Sequence, residues 1–162
     1  MIILRRLSKE KHHQVNPLWH IYRKIKFVKV LKQTLIIEIA RFVPSMKLKN
    51  KIYKKLLKMD VGNHTSFAYK VLPDLFYPEY ISVGKNTVIG YNTTILTHEI
   101  LVNEYRYGRV DIGSHTLIGA NVTILPGVKI GHNVMIKAGT IVSKDVPNDT
   151  IAFGNPMQIH NK

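Results

Sequence analysis

In this 162-residue chain, His98 is the residue best suited to moving a proton. It stands in the run ILTHEI, and an eleven-residue stretch, LVNEYRYGRVD, opens three residues later. An imidazole titrates near neutrality, so it can take the proton from a hydroxyl as that oxygen attacks an electrophile. Asp74 is a candidate either to orient that ring or to bind an acceptor. Lys144 is a candidate to meet a phosphate, or else a solvated lysine. A metal reading competes. His98, His115 and His132 recur at intervals of seventeen, and three histidines can hold a catalytic zinc. Cysteine is absent, which excludes a disulfide framework and a zinc–thiolate site.

The elements that must position these residues announce themselves by a period of six. From Val83 the chain reads VGKNTV, IGYNTT, ILTHEI; after the eleven-residue stretch it resumes at Ile112 as IGSHTL, IGANVT, ILPGVK, IGHNVM, IKAGTI, VSKDVP. The first place is Ile or Val in all nine sixes, and the fourth is Asn, His, Gly or Asp. Such a period fits neither an amphipathic helix nor an alternating strand. It marks an internal repeat of short strands, each turning one β-branched side chain inward, as in a parallel β-helix. The fourth place needs a residue that tolerates a left-handed backbone. Three sixes per coil predict core stacks of Val83/Ile112/Ile130, Ile89/Ile118/Ile136 and Ile95/Ile124/Val142. The corner that ends with His98 then carries Pro126-Gly127 and Lys144-Asp145 in the next two coils, so Lys144 should lie about 10 Å along the axis from His98. This register disfavours zinc: the insertion breaks the coil count between His98 and His115, and His132 falls beside Ser114, one place out of line. His115 reads as a turn residue, and the fourth-place His98 can be read that way too.

The pattern [LIV]-G-x-N-[TV]-x resembles the hexapeptide-repeat acyltransferases, and IGANVTILPGVKIGHNVMIKAGTIVSKDVPNDTIAFGNP is similar to the C-terminal half of their maltose and galactoside O-acetyltransferase branch. The likeness covers about residues 60–160. It implies a mainly β chain built as a left-handed parallel β-helix, a triangular hexapeptide-repeat solenoid. It also implies an acetyl-CoA-dependent O-acetyltransferase acting on a small-molecule acceptor, a sugar or glycoconjugate. His98, just before an extended loop, matches the catalytic base; acetyl-CoA contacts match Ala120, Ala138, Ser143 and Lys144. The backbone N–H of Ala120 matches the oxyanion donor, and no metal is expected. The family is trimeric with sites between subunits, so a homotrimer is expected. The chain departs from the pattern at Lys137, where IGAG becomes IKAG, and at Gln158 and Asn161, where basic residues are usual, leaving Lys162. The inserted loop, about residues 101–111, with Glu99 before it, supplies Glu99, Glu104 and Arg106 as candidate acceptor contacts; the alternative is an arm packed on a neighbouring subunit. Two other classes stay open on the same fold: a γ-type carbonic anhydrase and a non-catalytic module that docks to membrane or partner.

The charge is lopsided. Residues 1–60 hold sixteen Lys or Arg against Glu10, Glu38 and Asp60, a net of +13 of the chain's +14. The expected division is a basic helical N-terminal segment, 1–60, and a β-helix domain, 61–162. The basic segment suits solvation or an anionic membrane surface; no groove-reading motif accompanies it, so no specific nucleic acid is expected. Residues 1–15 read as frayed. Asn16-Pro17 reads as a helix cap, leading into a helix from about Leu18 to Lys26. A second helix over Phe27 to Phe42 carries an apolar stripe of Val28, Leu31, Leu35, Ile39 and Phe42, and a third over Lys47 to Met59 carries Leu48, Ile52 and Leu56. Trp19, Tyr22 and Tyr53 read as interfacial anchors or, more commonly for such aromatics, as packing on the body. Four charges within Phe27 to Val43 argue against a spanning helix, and MIILRRL makes no convincing secretory signal. The chain is expected in the cytoplasm, with peripheral association at the inner membrane face open.

Overall fold

The computed structural model describes residues 5–12 and 14–162. Of the segment read as frayed, residues 1–4 and 13 lie outside the described residues, but Ser8–Lys11 forms a strand, β1. A 3-10 helix over Pro17–Arg23 follows, capped by the Asn16 side chain, which accepts from Trp19 N at 3.2 Å. The cap stands where the Asn-Pro pair puts it, but His20 leaves helical geometry and the segment stays a tight 3-10 piece. Helix α1 spans Phe27–Phe42 and ends before Pro44, whose ring disfavours helical geometry in the residue before it. Helix α2 spans Met46–Leu56, with Ser45 Oγ accepting from Leu48 N.

The chain then passes through three parallel sheets in rotation. The first coil is β2 (Asp60–Val61), β3 (Ser66–Phe67) and β4 (Leu72–Pro73). The second is β5 (Ile81–Val83), β6 (Val88–Ile89) and β7 (Thr94–Ile95), after which β8 (His98–Ile100) and β9 (Glu104–Tyr107) leave the rotation. The third is β10 (Val110–Ile112), β11 (Leu117–Ile118) and β12 (Thr123–Ile124); the fourth is β13 (Lys129–Ile130), β14 (Met135–Ile136) and β15 (Ile141–Val142). An antiparallel pair, β16 (Thr150–Phe153) and β17 (Gln158–Asn161), closes the far end. Each sheet gathers one strand per coil, because every inward Ile or Val needs the same place above and below it to be buried.

All three predicted stacks pair in register: Ile112 with Val83 and Ile130, Ile118 with Ile89 and Ile136, Ile124 with Ile95 and Val142. The first coil, ahead of the regular sixes, keeps the same register at Val61, Phe67 and Pro73, and the chain departs from it in the segment after Pro73. Fourth-place Asn86, Asn92, His115, Asn121, Gly127, Asn133 and Gly139 take positive φ, as the turn requires. His98 does not; it lies in β8, so its place is not that of a turn residue.

The helices cover the first coil. Lys49 is buried, its Nζ donating to the carbonyls of Phe67 at 3.0 Å and Ala68 at 3.2 Å, while Asn50 donates to Thr65 O. These side chains satisfy edge carbonyls that a terminal coil otherwise leaves unpaired. Tyr53 packs edge-on against Phe67 at 4.9 Å. Ile37, Ala40, Tyr53 and Leu57 join the same core as the stacked Ile and Val residues. The apolar stripes read from the sequence are largely not the buried ones; of their residues, Ile52 alone packs partly buried against the core. Helix α1 buries Gln33, Ile37 and Ala40, and α2 buries Lys49 and Tyr53, while Leu48 and Leu56 stay exposed. The physical reason is the surface they meet: an edge rich in carbonyls takes Lys49 where a flat apolar face takes leucine.

Candidate active site

Pro73 stacks on Ile95, so the residues leaving these two strands turn the same corner one coil apart. This brings Asp74 beneath Thr97 and His98. Asp74 is buried at 2% exposure. Its Oδ1 accepts from the backbone N–H of Phe76 at 2.7 Å and Tyr77 at 3.0 Å. Its Oδ2 accepts from Thr97 N at 2.8 Å and His98 N at 3.2 Å, and lies 2.6 Å from His98 Nδ1. Burial alone would raise this carboxyl, but the hydrogen bond and charge of His98, with the backbone donors, hold it below the usual carboxylate range. An ionised carboxylate only accepts, so Nδ1 carries the proton, and in the neutral ring Nε2 is left with a lone pair. The ring is further held by stacking on Phe76, centroids 4.2 Å apart. The arrangement is a partly exposed imidazole on a rigid corner with its Nδ1 held.

The insertion is a hairpin and not an open loop. Strands β8 and β9 pair antiparallel, His98 opposite Tyr107 and Glu99 opposite Arg106, and β1 adds to the outer edge of β9. Alternation along a strand puts Tyr105, Tyr107 and Ile100 on the His98 face. There they meet Tyr77 and Tyr80; Tyr77 stacks on Tyr80 at 5.3 Å, and Tyr107 lies 5.7 Å from Tyr77. Glu99, Glu104 and Arg106 take the opposite face. Arg106 binds Glu104 at 2.6 Å and Glu99 at 3.1 Å, and Arg5 binds Glu99 at 2.8 Å. Burial would raise the Glu99 carboxyl, but Arg5 and Arg106 hold it low. So of the four acceptor contacts expected from the sequence, the structure brings Asp74 to His98 and ties the other three into an ion network behind it. The insertion was expected to turn some of its residues, Tyr105 and Tyr107 among them, to the acceptor; the part of the wall made by Tyr77 and Tyr80 was missed. For Tyr77 and Tyr80 the signal was the density of aromatics in LFYPEY, residues 75–80, just ahead of the first regular six.

The remaining candidates divide between two corners. Ser143 and Lys144 follow β15 on the His98 corner, two coils on, and are exposed. Ala120 and Ala138 follow β11 and β14 on the preceding corner, in adjacent coils, where Gly139 N donates to Ala120 O at 2.9 Å. Within one chain these two sets do not converge. The straight run along the His98 corner is also not open. Arg6 N donates to Gly127 O at 3.0 Å, and the Arg6 guanidinium binds Asp111 at 2.9 Å. A residue between coils two and four therefore crosses the path from His98 to Lys144. The other histidines are engaged apart: His115 meets Asn86 at 3.0 Å, and His132 Nδ1 accepts from Ser114 N at 2.9 Å. Among the described residues no three His, Cys, Asp or Glu side chains converge on a point.

The bacterial transferase hexapeptide family profile (six repeats) matches residues 109–144. A Staphylococcus aureus (strain MRSA252) protein named as a putative acetyltransferase is 59% identical over 156 residues, covering 96% of this chain and 97% of that protein. A Bacillus subtilis (strain 168) protein of the same description is 52% identical over 156 residues, covering 94% and 91%. The solved galactoside acetyltransferase in complex with coenzyme A superposes with a TM-score of 0.63 at 26% identity, covering 83% of this chain and 80% of that one.

Proposed function

The chain belongs to the bacterial hexapeptide-repeat transferase family, and from that premise we propose that it is an acetyl-CoA-dependent O-acetyltransferase acting on a hydroxyl of a sugar or glycoconjugate. The single observation that carries the chemistry is the Asp74–His98 pair, with Nδ1 held at 2.6 Å and Nε2 left to act. His98 takes the proton from the acceptor hydroxyl as its oxygen attacks the thioester carbonyl. The carbon–sulfur bond then breaks, and the proton passes from His98 to the departing thiolate. Nothing on the chain needs to become acylated, and no Ser or Cys nucleophile motif is present. The tyrosine wall of Tyr77, Tyr80 and Tyr107, with Lys29 over Tyr77 and Arg109 over Tyr80, is the acceptor surface in this reading, and it replaces Glu99, Glu104 and Arg106 within one chain.

The donor reading is supported by an exposed ledge. Ala138 and Gly139 are exposed, and a Cβ built on Gly139 meets nothing within 4 Å. Lys137 lies beside them, its Nζ 5.0 Å from the Phe153 ring centroid. With Lys144 it supplies cations for the phosphates of coenzyme A. Ala120 N–H is the oxyanion donor in this reading. Because Ala120 and Ala138 sit on a different corner from His98, the complete site takes one corner from each of two copies, which supports a homotrimer. The left-handed sense of the triangular coil, and the division into residues 61–162 as transferase and 1–60 as appendage, belong to the same proposal.

The experiment is acetyl-CoA turnover against a panel of sugars, followed by release of free thiol. An ester product is cleaved by hydroxylamine and an amide product is not. Acceptor-dependent turnover of a hydroxylamine-labile product supports the reading. Absence of acetyl-CoA binding by the wild type sinks it.

A further inference from the structure

Helix α1 is apolar on two opposite sides. Gln33, Ile37 and Ala40 face the protein, with Ile37 and Ala40 in its core. Val28, Leu31, Leu35, Ile39 and Phe42 face away from it, with Val28 73% and Ile39 66% exposed. At 3.6 residues per turn the two arcs are centred about 170° apart. The outer stripe runs the helix length of about 24 Å. It continues at both ends. Tyr22 meets Phe27 at 5.2 Å, with Trp19 in the same 3-10 helix at 78% exposure; Phe42 meets Tyr69 at 5.4 Å. A contiguous apolar surface of this extent is unusual on a soluble domain and marks a partner.

The charges around it say which partner. Helix α2 turns Lys47, Lys51, Lys54 and Lys55 outward, with the exposed Leu48 and Leu56 along the border of that row. Lys32 of α1, Leu56 and Lys58 line one depression between the two helices. Three acids of this region are already paired, Glu10 with Lys24, Glu38 with Arg41 and Glu79 with Lys29, and Asp60 accepts from Ser82 Oγ. A second copy laid on this surface brings lysine against lysine. An anionic lipid headgroup layer offers the opposite sign over apolar chains. Among the described residues no helix is long and apolar enough to cross a membrane. The surface therefore suits a helix lying in the interface plane, with aromatic residues at headgroup depth and lysine stems reaching outward.

We propose that the outer face of α1, with Trp19 and Tyr22 at its N-terminal end and the α2 lysines beside it, docks this protein flat on an anionic membrane surface. The proposal stands independently of the catalytic reading. Trp19 is the single tryptophan, so its emission reports directly on this face. The full chain is mixed with vesicles of phosphatidylcholine alone, or of phosphatidylcholine with phosphatidylglycerol, and both Trp19 emission and sedimentation are followed. The expected result is a blue shift and sedimentation with phosphatidylglycerol, at least about tenfold weaker on phosphatidylcholine and weakened by salt. Leu35→Glu with Ile39→Glu, whose helical content is checked by far-UV circular dichroism, should weaken binding by about tenfold or more. Leu35→Ser with Ile39→Ser is the milder variant should the first misfold. No shift and no sedimentation with either vesicle overturns the proposal. So does vesicle binding that ignores the stripe variants. So does a lipid-free oligomer that already shields Trp19 and dissociates on Ile39→Glu, which would assign the stripe to a second copy.

Discussion

Asp74 Oδ2 receives His98 Nδ1 at 2.6 Å while the same oxygen accepts the backbone N–H of Thr97 and of His98 itself. The carboxylate thus fixes both the ring and the backbone that carries it. It can do so because β4 and β7 stack one above the other, and a buried acid held by four backbone donors does not drift.

His98→Ala should lower kcat by about 10²- to 10⁴-fold, the usual worth of a positioned base. Acetyl-CoA affinity, measured by isothermal titration, should stay within about threefold of wild type, since the ring is assigned to the acceptor proton and not to the donor. Loss of binding together with turnover would assign His98 to the donor pocket.

Asp74→Asn should separate orientation from binding. An amide in that place weakens the hold on the Nδ1–H tautomer, so kcat should fall between about tenfold and 10⁴-fold with KM for acetyl-CoA little changed. Steady-state kinetics check the split. A rise in KM at unchanged kcat would make Asp74 an acceptor contact.

The Asp74 carboxyl is held below its ordinary value in the fold. In the window between the two values the unfolded chain therefore binds more protons than the folded one. The stability Asp74 contributes is complete above the usual carboxylate pKa of about 3.9 and is lost as pH falls through the lower folded value. Urea unfolding of wild type from about pH 6 downward should show this acid limb, and Asp74→Asn should flatten it.

Gly127→Ala tests the crossing of the His98 corner. Gly127 has φ of +79°, and a Cβ there lies 2.6 Å from Arg6 O. The substitution should cost about 1 kcal/mol or more of stability and loosen residues 5–11. Thermal unfolding and amide hydrogen exchange of β1 read the two effects separately.

Ile118→Ala removes a fully buried side chain stacked between Ile89 and Ile136. The cavity should cost about 2–5 kcal/mol in urea unfolding. Leu117→Ala, at the exposed neighbouring place, should cost far less.

The period of six determined a great deal unaided. It placed nine inward residues, paired them three by three, and put Asn86, Asn92, Asn121 and Asn133 at left-handed turns. A repeat is legible because every coil meets the same environment, so each six reports on the same local physics. It also showed where the rotation is interrupted, which is how His98 was found. What the sequence left undecided were contacts made once and not repeated. Asp74 had two readings, and only the stacking of β4 on β7 brought it to the imidazole. Glu99 and Arg106 looked available, and strand alternation with Arg5 turned them away. The apolar stripes of α1 and α2 were plain in the sequence, yet periodicity gives only the faces of a helix. Which face is buried depends on the surface it meets, and the carbonyl edge of the first coil took Lys49 and Tyr53 and left the stripes, Ile52 excepted, outside.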